Sequence, residues 1–221
     1  MIEEKGRLSI KDFKEIQGDI LSLPAQEIIP WITSLRPRGE ETRRAIEMLK
    51  GWDSQLGKDS PLASLYEIIL FRLLLNTFGD ELGEILPEYL RTRYGLFNSP
   101  HIRGVEVLIR IMPDPSNPWF DDARTPRREK RDDILLKSLR EALKEWKGRG
   151  WGKLHYCPFP HPLFRGSVLQ IPLGIGRAEL GGDFYTVNHA GFPYNKPFRV
   201  ETISSWRQVV DLRGPLAWGI N

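Results

Sequence analysis

Asp59-Ser60-Pro61-Leu62-Ala63-Ser64-Leu65-Tyr66-Glu67-Ile68-Ile69-Leu70-Phe71-Arg72-Leu73-Leu74-Leu75-Asn76-Thr77-Phe78 is the stretch around which the rest of this 221-residue chain must be arranged. Wound at helical pitch, it carries apolar residues on most of its circumference, so neighbouring elements must cover it on several sides. Asp59 or Ser60 supplies the N-cap. Pro61 takes the first helical position, where a missing N–H costs nothing. Glu67 and Arg72 interrupt the run from Leu62 to Phe78, which predicts a buried helix that falls short of a membrane span.

The segments on either side read as the cover for that helix. Upstream, Ser9 and Asp12 have the form of a capping box, and Ile10, Phe13, Ile16, Ile20 and Leu21 follow at helical spacing until Pro24 interrupts the run or permits a new start. A helix from Glu40 to about Leu56 sets Ala45, Ile46, Leu49 and Trp52 on one face and Glu40, Arg43, Arg44 and Glu47 on the other, and Gly57 ends it. Downstream, shorter helices are expected over Glu84–Tyr94 and His101–Ile111. Residues Met112 to Phe120 hold too many prolines for a regular element and predict a surface loop. From Arg128 to Lys147 a helical stripe of Ile134, Leu135, Leu139, Leu143 and Trp146 returns, and Gly148 and Gly150 stop it.

Beyond Gly150 the character changes. Pro158, Pro160, Pro162 and Pro172 forbid long helices. Phe184–Asn188, Phe198–Thr202, Trp206–Leu212 and Leu216–Ile220 carry the β-branched and aromatic content of strands. The chain is therefore expected to be α+β, with a mainly helical region over 1–150 and a strand-rich region over 151–221. Because the last candidate strand runs into the final residue, truncation is expected as well.

Composition narrows the function classes. Thirty-two basic residues against 29 acidic ones leave a formal charge of +3, a mixed surface and no nucleic-acid footprint. The one dense basic stretch is Arg124, Arg127, Arg128, Lys130 and Arg131. It reads as a solvated loop entering a helix, with a binding module for an anionic partner as the rival. Cys157 is the sole cysteine, so no intrachain disulfide forms. The N-terminus is charged from Glu3 and lacks the apolar core of a signal peptide.

Few residues form a constellation that chemistry requires. His155, Cys157 and His161 lie within seven residues, but their spacing matches no common zinc pairing and no second cluster completes a tetrahedral site. Cys157 as a nucleophile would need an orienting acid and an oxyanion hole that spacing cannot supply. Leu173-Gly174-Ile175-Gly176-Arg177 followed by Gly181-Gly182 lacks the Lys-Ser/Thr of a phosphate loop and reads as turn glycine at a sheet edge. Trp119, Trp146, Trp151, Trp206 and Trp218 are scattered over helix ends and strand faces, which favours packing over a stacking platform.

Three pieces of sequence, in this order, carry a family resemblance. The first is Leu49-Lys50-Gly51-Trp52-Asp53 with Asp59-Ser60-Pro61-Leu62-Ala63. The second is Trp151-Gly152-Lys153-Leu154-His155 with His161-Pro162-Leu163. The third is Gly181-Gly182-Asp183-Phe184-Tyr185-Thr186-Val187-Asn188 with Ser205-Trp206-Arg207-Gln208-Val209-Val210-Asp211-Leu212. Together they resemble the penicillin acylase family of N-terminal-nucleophile hydrolases, and the likeness runs from Ser9 to Asn221.

The resemblance implies amide hydrolysis by an N-terminal serine whose own α-amino group acts as base, on substrates such as β-lactam side chains or acyl-homoserine lactones. It also implies an αββα sandwich that the strands here would complete, and a periplasmic or extracellular location. The serine, the oxyanion asparagine and the calcium ligands of some members would all lie before Met1, which then reads as an internal methionine of the large chain. No catalytic residue and no cofactor is therefore assigned to these residues. The expected partners are the remainder of the same precursor and, in the parent, a small acyl amide. His161, Asn188, Arg207 and Asp211 are the motif polar residues expected to form a stabilising network, since such groups must be paired if buried.

Overall fold

The computed structural model describes residues 6–86, 100–164, 166–193, 196–210 and 217–220. Helix α1 (Ile10–Gln17) opens with the predicted capping box: Ser9 Oγ accepts from the Asp12 amide, and Asp12 Oδ2 accepts from the Ser9 amide at 2.8 Å. Gly18 ends it, and α2 (Leu23–Ser34) starts afresh with Pro24 in its first turn and Ser22 as cap. Helix α3 (Glu40–Lys50) stops at Gly51, earlier than the sequence pattern suggested, because Trp52 to Leu56 leave the helix and reach back toward α1. Leu56 donates its amide to the Ile20 carbonyl at 3.0 Å, and Ser22 donates to the Ser54 carbonyl at 3.0 Å.

Helix α4 (Pro61–Leu82) is the axis of the fold. Ser60 is the cap actually used, its Oγ accepting from the Ala63 amide at 3.2 Å. Every residue from Ala63 to Leu70 is buried, a run longer than two turns, so no face of that half meets water. Helix α5 (Pro100–Ile111), helix α6 (Arg131–Glu145) and the turn Trp151–Lys153 pack around α4. The Pro61–Ile85 segment is long and apolar enough to cross a bilayer, contrary to the reading from Glu67 and Arg72; yet 78% of its most apolar window is buried inside the protein. Its cover, rather than its composition, makes it a core helix here.

Polar pins lock α6 along α4. Asn76 Nδ2 donates to Ser138 Oγ at 3.0 Å and Glu141 Oε2 at 2.9 Å, Arg72 pairs with Glu145, and Trp146 Nε1 donates to Ser64 Oγ at 3.1 Å. The Pro-rich segment before α6 is not a plain surface loop. Met112 and Phe120 are buried against the core, the latter in a short 3-10 turn over Pro118–Phe120.

Antiparallel strand pairs follow: β1 (Tyr156–Phe159) with β2 (Gly176–Glu179), β3 (Ala190–Gly191) with β4 (Thr202–Ile203), and β5 (Arg207–Val210) with β6 (Ala217–Ile220). The fold is α+β. The expected strand Phe184–Asn188 is instead a bent loop, because Asp183 and Thr186 bond within it: the Asp183 amide donates to Thr186 Oγ1 at 2.9 Å, and the Tyr185 amide to Asp183 Oδ1 at 2.7 Å. Much of the helix expected over Glu84–Tyr94 falls on residues outside the described set, whereas the strand expected over Leu216–Ile220 is present as β6 from Ala217 onward. Within that set, Gly83–Ile85 form a single 3-10 turn.

Candidate functional site

One part of each motif region meets the others at the N-terminal end of α4. Trp151 donates its amide to the Ser60 carbonyl at 3.0 Å, Gly152 to Lys58 at 2.6 Å, and Gly182 to Leu56 at 2.8 Å. These bonds need close approach to residues 56–58, which is why glycine stands at 152 and 181. Gly182 adds a left-handed backbone, φ +74°, where a Cβ would run into the Asn188 carbonyl. Trp151, fully buried, donates Nε1 to the Gly182 carbonyl at 3.0 Å and so ties the second motif to the third.

His155 lies flat on Trp151, ring centroids 4.4 Å apart, with Phe192 and Phe198 edge-on around them. Its Nδ1 sits 3.2 Å from the Phe198 carbonyl and donates to it. Burial pushes its pKa down to about 4, against the pull of the Phe198 and Ala190 carbonyls, so the ring is neutral at physiological pH. Phe198 holds a left-handed backbone, φ +68°, that costs a non-glycine residue about 1–2 kcal/mol. Its ring packs against Trp151, Phe192 and Phe71, which offsets that cost.

Beside this cluster lies a buried carboxyl pair that sequence reasoning missed. Glu67 from α4 and Asp183 from the Gly-Gly-Asp turn are 3% and 2% exposed and hydrogen-bond to each other. Burial, then the mutual repulsion of the two groups, raises Glu67 well above the usual carboxylate range. Burial also raises Asp183, while bonds from Tyr185, Glu67 and Thr186 restrain it. Two carboxyls in contact cannot both ionise without water, so the pair shares a proton. The available signal was Glu67 itself, the one acidic residue within the apolar run of α4.

Among the described residues, Asn188 and Arg207 bond to each other and His161 bonds elsewhere. Asn188 lies in the bent loop rather than a strand, and its Oδ1 accepts from Arg207 Nη2. His161 is engaged in its own turn, with Nδ1 accepting from the Leu163 amide at 3.3 Å and the ring 5.0 Å from Phe164. Asp211 lies outside the described residues. His155, Cys157 and His161 do not converge, and among the described residues no group of three or more His, Cys, Asp or Glu is placed to hold a metal ion. Burial pushes the Cys157 thiol up, the opposite of what a nucleophile needs.

The basic stretch is largely consumed within the protein. Arg124 grips the buried Asp122 with two bonds of 2.7 and 2.9 Å, Arg127 pairs with Asp133 at 2.7 Å, and Arg131 pairs with Asp132 while lying 4.2 Å over the Trp31 ring. A large groove of about 710 Å³ runs between the end of α2 and α3, and its charged walls Glu40, Arg43, Arg44, Glu47 and Lys50 pair among themselves.

The buried cluster is shaped for holding three chain segments together; its acid, histidine and aromatic groups face each other rather than a substrate cleft. Comparison with known proteins finds relatives over most of the chain. An acyl-homoserine lactone acylase of Pseudomonas putida is 27% identical over 186 residues, covering 78% of this chain and 22% of the relative. The corresponding acylase of Pseudomonas syringae pv. tomato is 31% identical over 183 residues, 76% of this chain and 21% of its own length. That of Pseudomonas aeruginosa is 25% identical over 211 residues, 86% and 24%. The chain thus spans between a fifth and a quarter of these relatives. The penicillin amidase family model matches residues 1–221, the full run that holds all three motifs, and the chain belongs to that family.

Proposed function

We propose that this chain forms the C-terminal structural segment of an acyl-amide hydrolase whose serine nucleophile is carried on upstream polypeptide. The observation that carries the reading is a family match over all 221 residues joined to coverage of only 21–24% of relatives named as acyl-homoserine lactone acylases. In this reading the N-terminal serine's α-amino group takes the proton from its hydroxyl, and the oxygen attacks the amide carbon. The amine then leaves, and water releases the acid from the acyl-enzyme. In this reading the catalytic groups lie on the upstream polypeptide. The buried cluster of the present chain holds the strand pairs against α4, so that β-strands can join the central sheet of an αββα sandwich built mostly by the rest of the molecule.

The open strand pairs support it. A two-stranded ribbon is marginal alone, and the exposed Leu163, Val168 and Ile175 on the β1–β2 connection ask for cover. The test is turnover of an acyl-homoserine lactone and a phenylacetyl amide by the purified chain, alone and expressed in frame with upstream coding sequence. No hydrolysis alone and hydrolysis with the extension is expected. Turnover by the 221-residue chain alone would overturn the reading.

A further inference from the structure

Arg207 opens β5 with its guanidinium half-buried between two clefts. Leu180, His189 and Ile203 help to line one, of about 240 Å³, and Gln17, Val187 and Trp206 the other, of about 380 Å³. Its Nη2 donates to Asn188 Oδ1 and, at 3.5 Å, to Ser204 Oγ. Asn188 is itself pinned: its amide donates to the Asp19 carbonyl at 2.8 Å, and its carbonyl accepts from Thr186 Oγ1 at 3.0 Å. The guanidinium is thus aimed by two uncharged side chains.

No acidic group pairs with it among the described residues, and its Nε and Nη1 donors meet no acceptor there. Other cations of the region after Gly150 differ: Lys153 is bound to Glu179, and Lys196 to Glu201. A guanidinium presents five donors in a fixed plane that matches a carboxylate with two parallel bonds. The rim is apolar, with Ile203, Val187 and Trp206 44%, 57% and 67% exposed.

We propose that Arg207, positioned by Asn188 and Ser204, is a binding site for a carboxylate carried on an apolar body. Two sources share that chemistry. One is a free acid, such as amide hydrolysis releases, and this source rests on the amidase reading. The other is an Asp or Glu side chain within an apolar protein segment.

The test follows the Trp206 indole and Arg207 Nε–H resonances of the 221-residue chain at fixed ionic strength. The titrants are phenylacetate, the uncharged phenylacetamide and the capped peptide acetyl-Leu-Asp-Leu-amide. Saturable shifts with a carboxylate and none with the amide are expected. Arg207→Gln is expected to weaken binding about tenfold or more. Arg207→Lys, which keeps the charge but loses the planar fork, covers the case in which the Gln variant misfolds, and is expected to weaken binding severalfold. Tighter binding of phenylacetate assigns the free acid, and tighter binding of the peptide assigns a protein segment. Equal response to phenylacetate and phenylacetamide, or an undiminished response in both Arg207 variants, would overturn the site. Turnover is measured separately, so either result leaves the amidase reading to its own test.

Discussion

Replacing Glu67 with Gln isolates the shared proton of the buried pair. In the folded wild type above pH 6, Glu67 and Asp183 hold about one proton between them, because burial raises both groups and the neighbouring Asp183 raises Glu67 further. In the unfolded chain free carboxyls near pH 4 hold none. The folded state then binds more protons than the unfolded one, so stability is fully present below about pH 4 and is lost as pH rises toward the folded pKa values. The loss is about 1.4 kcal/mol per pH unit for each proton that the folded state holds in excess of the unfolded one.

His155 acts in the opposite sense. Its pKa is lowered to about 4, so its contribution grows as pH rises and is complete once the unfolded ring has lost its proton near pH 6.5. The two slopes oppose each other below pH 6.5, and the window above it belongs to the carboxyls. In Glu67→Gln the amide can keep donating to Asp183, as the protonated Glu67 does, but position 67 no longer carries a titrating proton. Urea unfolding of both proteins at steps from pH 6 to 8 should show the variant gaining on the wild type as pH rises, with a slope of at most about 1.4 kcal/mol per pH unit. Parallel profiles would mean that no proton is shared, and the account of the pair would be wrong.

Gly182→Ala forces a Cβ into a left-handed turn already filled by the Asn188 carbonyl, and a loss of at least about 2 kcal/mol is expected by urea unfolding, with helical far-UV signal retained. Trp151→Phe removes the bond to the Gly182 carbonyl and leaves a void beside His155; about 2–4 kcal/mol is expected in the same assay. Asp122→Ala strands the cations of Arg124 and Lys137, which bond its two oxygens, and should cost about 1–3 kcal/mol, whereas the exposed Arg128→Ser should stay within about 0.5 kcal/mol. A larger effect at Arg128 than at Asp122 would contradict the view that the basic stretch is mainly an internal ion-pair knot.

Local chemistry carried much of the fold on its face. The cap at Ser60 with Pro61, the Ser9–Asp12 box, and the apolar stripe of α6 each depend on groups within about four residues, where spacing alone dictates contact. Motif order likewise marked the family, because it is a property of the chain itself. What spacing could not reveal was set at long range. Phe184–Asn188 has strand composition, but Asp183 and Thr186 close it into a bend so that Gly182 can reach Leu56. Glu67 became half of a carboxyl pair only because Asp183, 116 residues later, was folded into the same dry space, where neither group can find water. His155 and Arg207 differ for the same reason. Tertiary packing buried the first among aromatic rings and left the second facing open clefts, and solvent access, which no local pattern encodes, decides what each can do.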